Sequence, residues 1–379
     1  MRTGKVRWDV TVADYKAGYS ITVAPLAVKD KIIVGVSGGE YGVRGLIDAY
    51  DPKTGRRIWR FWTVPGPGEP GHESWPGESW KTGSAATWVT GSYDASTNLI
   101  YWGTGNPGPD YNGDIRSGDN LYAASVVALD ADSGKLKLHF QFTPHDIHDW
   151  DSTHVPILAD APVRGVARKL LLTANRNGFY YVLDRETGEY LQGVQYARQT
   201  WAKGLDDRGR PLLLPGKEPT AEGNPVYPGM HGGTNWFSPS YSPVTKLFYV
   251  ATREEGTRYF VDKSKYSPGE WYSGGGIRGI PGTEPSGSIR ALEGVTGRLV
   301  WEYPLHSPPW SGLLSTAGGL VFGGSSEGYF FAIDGGTGKA LWKFPTGGPI
   351  FANPMAFQFE GKERVVIAAG HALFAFGLE

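Results

Sequence analysis

One phrase recurs along the chain and constrains its fold more than any other feature. An apolar strand runs into Ala-x-Asp-x-x-Thr-Gly, followed by a short strand ending in Trp or another apolar residue. Full copies occupy residues 49–59, 291–301 (with Glu293 in the Asp place) and 332–342, and partial ones 128–134 and 183–188. Two degenerate copies at 93–101 and 241–249 fill the gaps, so turn positions fall at 4, 55, 98, 134, 188, 246, 297 and 338. The intervals of 36 to 58 residues bracket the roughly 40–50 of a four-stranded propeller blade. Asp accepts hydrogen bonds from the turn backbone, Gly takes the left-handed position, and Trp wedges against the neighbouring blade. The pattern predicts an all-β propeller of about seven four-stranded blades, forming one domain over residues 1–379.

The first copy, Thr3-Gly4-Lys5-Val6-Arg7-Trp8, is a second half with no first half before it. An open blade leaves an unpaired strand edge, so the chain is expected to lack upstream blades of its architecture. Its N-terminus has no apolar h-region and does not read as a signal peptide.

Composition agrees with the repeat. The 55 glycines and 13% aromatic content suit short strands joined by tight turns and do not suit a helical bundle. Basic and acidic residues number 37 and 38, giving a net charge of −1, which argues against nucleic acid or an anionic membrane surface as partner. No apolar run reaches the roughly 20 residues of a spanning helix. The absence of cysteine excludes disulfides, thiolate metal centres and covalent c-type haem from this chain. Pro/Gly-rich stretches at 62–80, 202–233 and 253–287 are expected to gather on one face and shape a ligand funnel.

The densest polar cluster is His145-Asp146-Ile147-His148-Asp149-Trp150-Asp151, with His154 following. In an extended segment Asp149 and Asp151 point to one side and could serve a hard cation with oxygen ligands. A polar inter-blade loop, or zinc held by His145, His148 and His154, are the alternatives that composition leaves open.

Four separated motifs resemble those of the quinoprotein methanol and ethanol dehydrogenases, in the same order over nearly the whole chain. They are Ser37-Gly-Gly-Glu40-Tyr-Gly-Val-Arg-Gly45, Tyr101-Trp-Gly-Thr-Gly105-Asn106-Pro107, the segment from Thr143 to Asp151, and Asn175-Arg176-Asn-Gly178. The resemblance implies an eight-bladed propeller in the intact family, pyrroloquinoline quinone (PQQ) as cofactor, and oxidation of a small primary alcohol. It further implies a periplasmic location and electron transfer to a separate cytochrome c. By the same resemblance Glu40, Asn106 and Asp149 match the ligands of a Ca²⁺ ion, and Asp149 also matches the general base. Trp88 matches the indole beneath the quinone, although alone it would read as an inter-blade packing Trp. Arg176 matches the guanidinium at the quinone carbonyls. Thr22, Ser37, Gly38 and Gly39 match groups along the cofactor's edges, and Asn235 and Trp236 a later contact. Asp151 stands where calcium members commonly have a small residue and so resembles the lanthanide-using members. The family's adjacent-cysteine ring, with a neighbouring Glu and Arg, has no counterpart here. Two other readings share parts of the pattern: a non-catalytic assembly scaffold with the same turns, and a PQQ-dependent sugar dehydrogenase.

Overall fold

A computed structural model describes residues 3–377. Its blades follow one another in chain order, each antiparallel with successive blade strands paired, and one small inserted sheet interleaves with the strands of the fourth blade. Blade 1 comprises Leu26–Val28, Lys31–Gly35, Leu46–Tyr50 and Arg57–Trp62. Blade 2 comprises Ser92–Asp94, Leu99–Gly103, Ser125–Asp130 and Leu136–Gln141. Blade 3 takes Ile157–Val163, Val166–Ala174, Phe179–Asp184 and Tyr190–Gln195. Blade 4 takes Ser240–Ser242, Leu247–Glu254, Ser286–Glu293 and Leu299–Leu305. Blade 5 is built from Leu314–Ser315, Leu320–Gly324, Tyr329–Asp334 and Ala340–Pro345. Blade 6 has three strands, Met355–Phe359, Lys362–Ala369 and Ala372–Phe376.

The repeat phrase is the hairpin between the third and fourth strands of a blade. Asp51 Oδ1 accepts the N–H groups of Lys53 and Thr54 at 2.8 and 2.9 Å, and Asp334 Oδ1 does the same for Gly336 and Thr337. The turn glycine is required twice over. Gly134 adopts φ +69°, and a Cβ on it would fall 2.5 Å from the indole of Trp59 on the preceding blade. Trp59 Nε1 donates to Ala131 O, and Trp301 repeats the arrangement on Gly338 with Nε1 donating to Gly335 O. Trp8 docks on Gly55 in the same manner, donating to Pro52 O. Between blades 2 and 3 Leu138 takes the Trp place against Gly188, and between blades 3 and 4 Val194 packs on Gly297.

The two degenerate copies occupy a different place. Residues 93–98 and 241–246 join the first and second strands of blades 2 and 4. Asn98 and Lys246 take the left-handed conformation at φ +57° and +61°, so this hairpin uses the same local chemistry. Counting them as blades inflates the number. Among the described residues there are five four-stranded blades and one of three strands, against the expected seven or so. The tail that carries Trp8 forms no strand.

Because the strands alternate in direction, second-to-third-strand loops and blade-to-blade links share one rim, and the repeat turns share the other. Two Pro/Gly-rich insertions lie on the first rim and carry small sheets of their own, Ala202–Leu205 with Pro211–Leu213, and Asn224–Val226 with Thr257–Val261 and Gly275–Gly279. The second insertion reaches the loops of blades 1 and 2, where Tyr272 N–H donates to Glu40 O and Tyr111 N–H to Ser273 O. No helix among the described residues is long and apolar enough to cross a membrane.

Candidate functional site

Three successive second-to-third-strand loops deliver Glu40, Asn106 and Arg176. The links between blades deliver Trp88, Asp149, Asp151 and Asn235. Asp151, buried, knits them together. Its Oδ1 accepts the Asn106 N–H at 2.7 Å, and its Oδ2 accepts Trp88 Nε1 at 2.8 Å and faces Arg176 Nη2 at 3.1 Å. Arg176 Nη1 donates to Asp149 O at 3.1 Å and lies 3.9 Å from Asp149 Oδ1, while Nη2 also reaches Asn235 Oδ1 at 3.2 Å. Its guanidinium carbon sits 5.7 Å from the centre of the Trp88 ring.

The same-side placement of Asp149 and Asp151 does not come from strand alternation, since no strand forms there. Asp149 instead takes φ +60°, a left-handed conformation costing an L-residue about 1–2 kcal/mol, and Arg176 gathers both acids.

The cofactor-edge candidates adjoin this network. Thr22 Oγ1 and Ser37 Oγ share a hydrogen bond of 2.6 Å, and Thr22 also donates to Trp88 O at 3.1 Å. Gly38, at φ +114°, passes so near Gly18 that a Cβ would meet its carbonyl oxygen at 2.2 Å. Gly39 leaves open space in which an added Cβ would stand 3.8 Å from Asn106 Oδ1 and from Ala86. Asn235 joins through Arg176 and through Nδ2 to His231 O. Trp236 is tied only by its backbone N–H to Asn235 Oδ1, and its ring packs on the blade 4 core beside Phe237.

The electrostatics are lopsided. Burial raises the Glu40 carboxyl above its ordinary value, with Asp151 adding repulsion and Arg176 offsetting part of it. Burial, then Asp110 and Asp151, push Asp149 well above the carboxylate range against the pull of Arg176. Asp110, which the sequence reading missed, is 2% exposed and raised in the same way by burial and by Glu40. Its signal was an acid four residues after Asn106 in one short loop. Tyr111, missed as well, places its hydroxyl 3.5 Å from Asp149 Oδ2.

The residues fit a hard cation beside a flat, anionic cofactor. Three buried or half-buried acids, Glu40, Asp149 and Asp151, face one arginine, whose Nε is itself buried without a partner, and the donor set is oxygen throughout, as such a cation prefers. The carboxylates are not drawn into a cage: among the described residues no three His, Asp or Glu groups cluster as metal ligands. The zinc alternative fails. His145 Nδ1 is hydrogen-bonded to Gly118 O, and His148 stacks on Trp150 with Nε2 on Lys217 O. His154 is buried elsewhere, close to Arg176 and Thr234. Asp146, which the polar-loop alternative would leave exposed, is buried and accepts the N–H groups of His148 and Trp150.

Residues 2–203 match the model of the glucose/ethanol/alcohol dehydrogenase β-propeller domain that bears PQQ's name, and residues 285–377 match that of the outer membrane protein assembly factor BamB. The quinoprotein alcohol dehydrogenase PedH of Pseudomonas putida is 41% identical over 97% of this chain and 66% of its own length. A lanthanide-dependent methanol dehydrogenase of Methylacidiphilum fumariolicum is 38% identical over 96% and 64%. The chain thus spans somewhat under two thirds of these two relatives. The structure of a europium-containing methanol dehydrogenase superposes with a TM-score of 0.90 at 38% identity, covering 96% of this chain and 68% of that one. With more than half its length matched by the domain model, this chain belongs to the PQQ-dependent alcohol dehydrogenase β-propeller family.

Proposed function

We propose that this chain forms the quinone and cation site of a PQQ-dependent dehydrogenase that oxidises primary alcohols to aldehydes. The observation that carries the reading is the continuous network from the Trp88 indole through Asp151 to Asn106 and Arg176. It sets an aromatic platform, a guanidinium and a group of acids against one another on a single rim.

Each side chain has a task in that reading. Trp88 offers a ring face for a planar tricycle, and its Nε1 bond to Asp151 fixes the ring's tilt. Arg176, held by Asp149 O and Asn235, directs donors to the cofactor's carbonyl edge. Thr22, Ser37, Gly38 and Gly39 line the other edge, with two hydroxyls as polar groups and Gly39 presenting no side chain to hold the cofactor off. Glu40, Asn106, Asp149 and Asp151 would hold Ca²⁺ or a lanthanide ion, and the Asp151 carboxylate favours the trivalent choice. When bound, PQQ supplies the two-electron acceptor for the carbinol hydride and the cation supplies Lewis acidity. Asp149 takes the alcohol's hydroxyl proton on a carboxylate oxygen. A cation among these acids offsets the repulsion that raises Asp149, keeping it ionised and able to act as a base.

On the same family resemblance we infer that electrons leave to a separate cytochrome c, in the periplasm, and that residues 1–379 act as one propeller domain. The scaffold reading draws on the match of residues 285–377. Glu40, Asn106, Asp149 and Arg176 all lie outside that segment.

The test is reconstitution of the purified chain with PQQ and either Ca²⁺ or La³⁺, followed by quinone absorbance and dye-linked ethanol oxidation. Stoichiometric quinone binding with cation-dependent turnover is expected. Absence of quinone binding with either ion would overturn the reading for this chain.

A further inference from the structure

Asp110 is a buried acid for which the proposed function gives no role. It lies in the loop that carries Asn106, and Asn106 Nδ2 donates to its Oδ1 at 2.7 Å. That single bond is its only hydrogen bond among the described residues, and no lysine or arginine there pairs with it. The nearest cation, Arg116, is spent on Pro109 O, Asp146 O and Asn120 Oδ1. The acids whose charge it feels are Glu40 and Asp151, and its own charge acts on Asp149.

The contrast with Asp151 is instructive. Asp151 is also an acid beside Asn106, but three donors already answer its two oxygens. Part of its negative charge is met by the protein, through an arginine that it shares with Asp149. That of Asp110 is not, since one neutral amide is all it receives. A buried carboxylate left in this state costs several kcal/mol unless a positive charge arrives, and the groups around it point to where that charge would sit.

The Asn106–Asp110 bond has a second effect. An asparagine amide presents either its oxygen or its nitrogen to a given side. Asp110 is acceptor-only when ionised, so it draws Nδ2 to itself and leaves Oδ1 facing Gly39, beside Glu40.

We propose that Asp110 is a positioning residue of the cation centre, which turns the Asn106 oxygen toward the ion and adds the uncompensated negative charge that selects a trivalent over a divalent cation. The inference rests on the cation site of the proposed function and assigns the selectivity to Asp110 as well as to Asp151. Charge preference follows from Coulomb attraction: one more anion near the site acts on a 3+ ion half again as strongly as on a 2+ ion of the same size.

The experiment is a Tb³⁺ titration of the full chain with PQQ present, read by tryptophan-sensitised luminescence, with Ca²⁺ as competitor. Asp110→Asn keeps an oxygen that can accept from Asn106 but removes the charge. It is expected to lower the Tb³⁺-over-Ca²⁺ preference by about tenfold, an effect of roughly 1.4 kcal/mol. Asp110→Ala also removes the amide's anchor and should weaken both ions. Circular dichroism of each variant checks the fold, and if the alanine variant does not fold, the asparagine variant decides alone. An unchanged preference in Asp110→Asn, with wild type binding Tb³⁺, would overturn the role of Asp110 and leave the cation site standing. Failure of the wild type to bind either ion would overturn both.

Discussion

Asp94 and Asp149 are both aspartates of the blade 2 region, and their surroundings treat them in opposite ways. Asp94, in the first strand, is 8% exposed, and burial alone would raise its carboxyl. Arg185 Nε at 2.8 Å and the Ser96 hydroxyl overcome that and hold it well below the usual range. Arg185 also binds Ala159 O and Asp160, so the pair ties blade 2 to blade 3. Asp149 faces Arg176 at 3.9 Å with Asp110 and Asp151 close by, and it is pushed well above the usual range. The fold-building acid comes with its own cation at hydrogen-bond distance. The acid proposed for chemistry is set among other acids, an arrangement that gives up stability and favours the arrival of positive charge.

The largest effect that would sharpen this contrast is catalytic. Asp149→Asn should lower alcohol turnover of the PQQ- and cation-loaded chain by about a thousandfold, in the range of a lost general base. Turnover within tenfold of wild type would remove Asp149 from that role. Next comes the same Asp→Asn change read as stability of the ligand-free chain in urea. Asp94→Asn leaves Arg185 short of a buried partner and should cost about 3 kcal/mol, whereas Asp149→Asn should gain about 1 kcal/mol by removing buried repulsion. Like signs for the two would break the comparison.

The smallest effect is in pH. Asp94 has a depressed value in the folded chain, so its stabilisation is complete above the ordinary carboxyl range near 4 and is lost as pH falls below it. Asp146 is raised to about 6 by burial. Its penalty is absent below about 4 and grows to its full size as pH rises to 6. Unfolding free energies across pH 3 to 7 should therefore show the wild-type advantage over Asp94→Asn shrinking in acid. The disadvantage relative to Asp146→Asn should develop between 4 and 6 and persist above, at about 1–2 kcal/mol once the carboxylate's hydrogen bonds from His148 and Trp150 are set against a shift worth about 3 kcal/mol.

The same contrast bears on how much could be read from the sequence. The Asp-x-x-Thr-Gly turns were legible because their chemistry is local: a carboxylate caps N–H groups two and three residues on, and the glycine is forced by φ and by the incoming indole. Local chemistry also misled, since Asn98 and Lys246 close a first-to-second-strand hairpin in the same left-handed conformation and were counted as blades. Of the site, the motif resemblance named Glu40, Trp88, Asn106, Asp149, Asp151 and Arg176, and the fold joins most of them by hydrogen bonds. What the sequence could not show was depth. Of the three histidines that one alternative gave to zinc, His145 and His148 are hydrogen-bonded to different backbone carbonyls and His154 is buried apart with neither ring nitrogen partnered among the described residues. Asp110 carried no signal of its burial, because the groups around it come from chain segments 70 residues before it and 163 after it, at Glu40 and Ser273.

The one-way docking of each blade on the next turn has a consequence for how the site is held. Trp59 on Gly134 and Leu138 on Gly188 are the joints between the three blades that contribute Glu40, Asn106 and Arg176. A ligand gripping all three loops would act as a keystone across those joints, since none of the three blades could swing without breaking its own share of the grip. Blades 5 and 6 contribute none of these groups. Loading would therefore brace the end of the array that holds blades 1 to 3 and leave blades 5 and 6 unbraced.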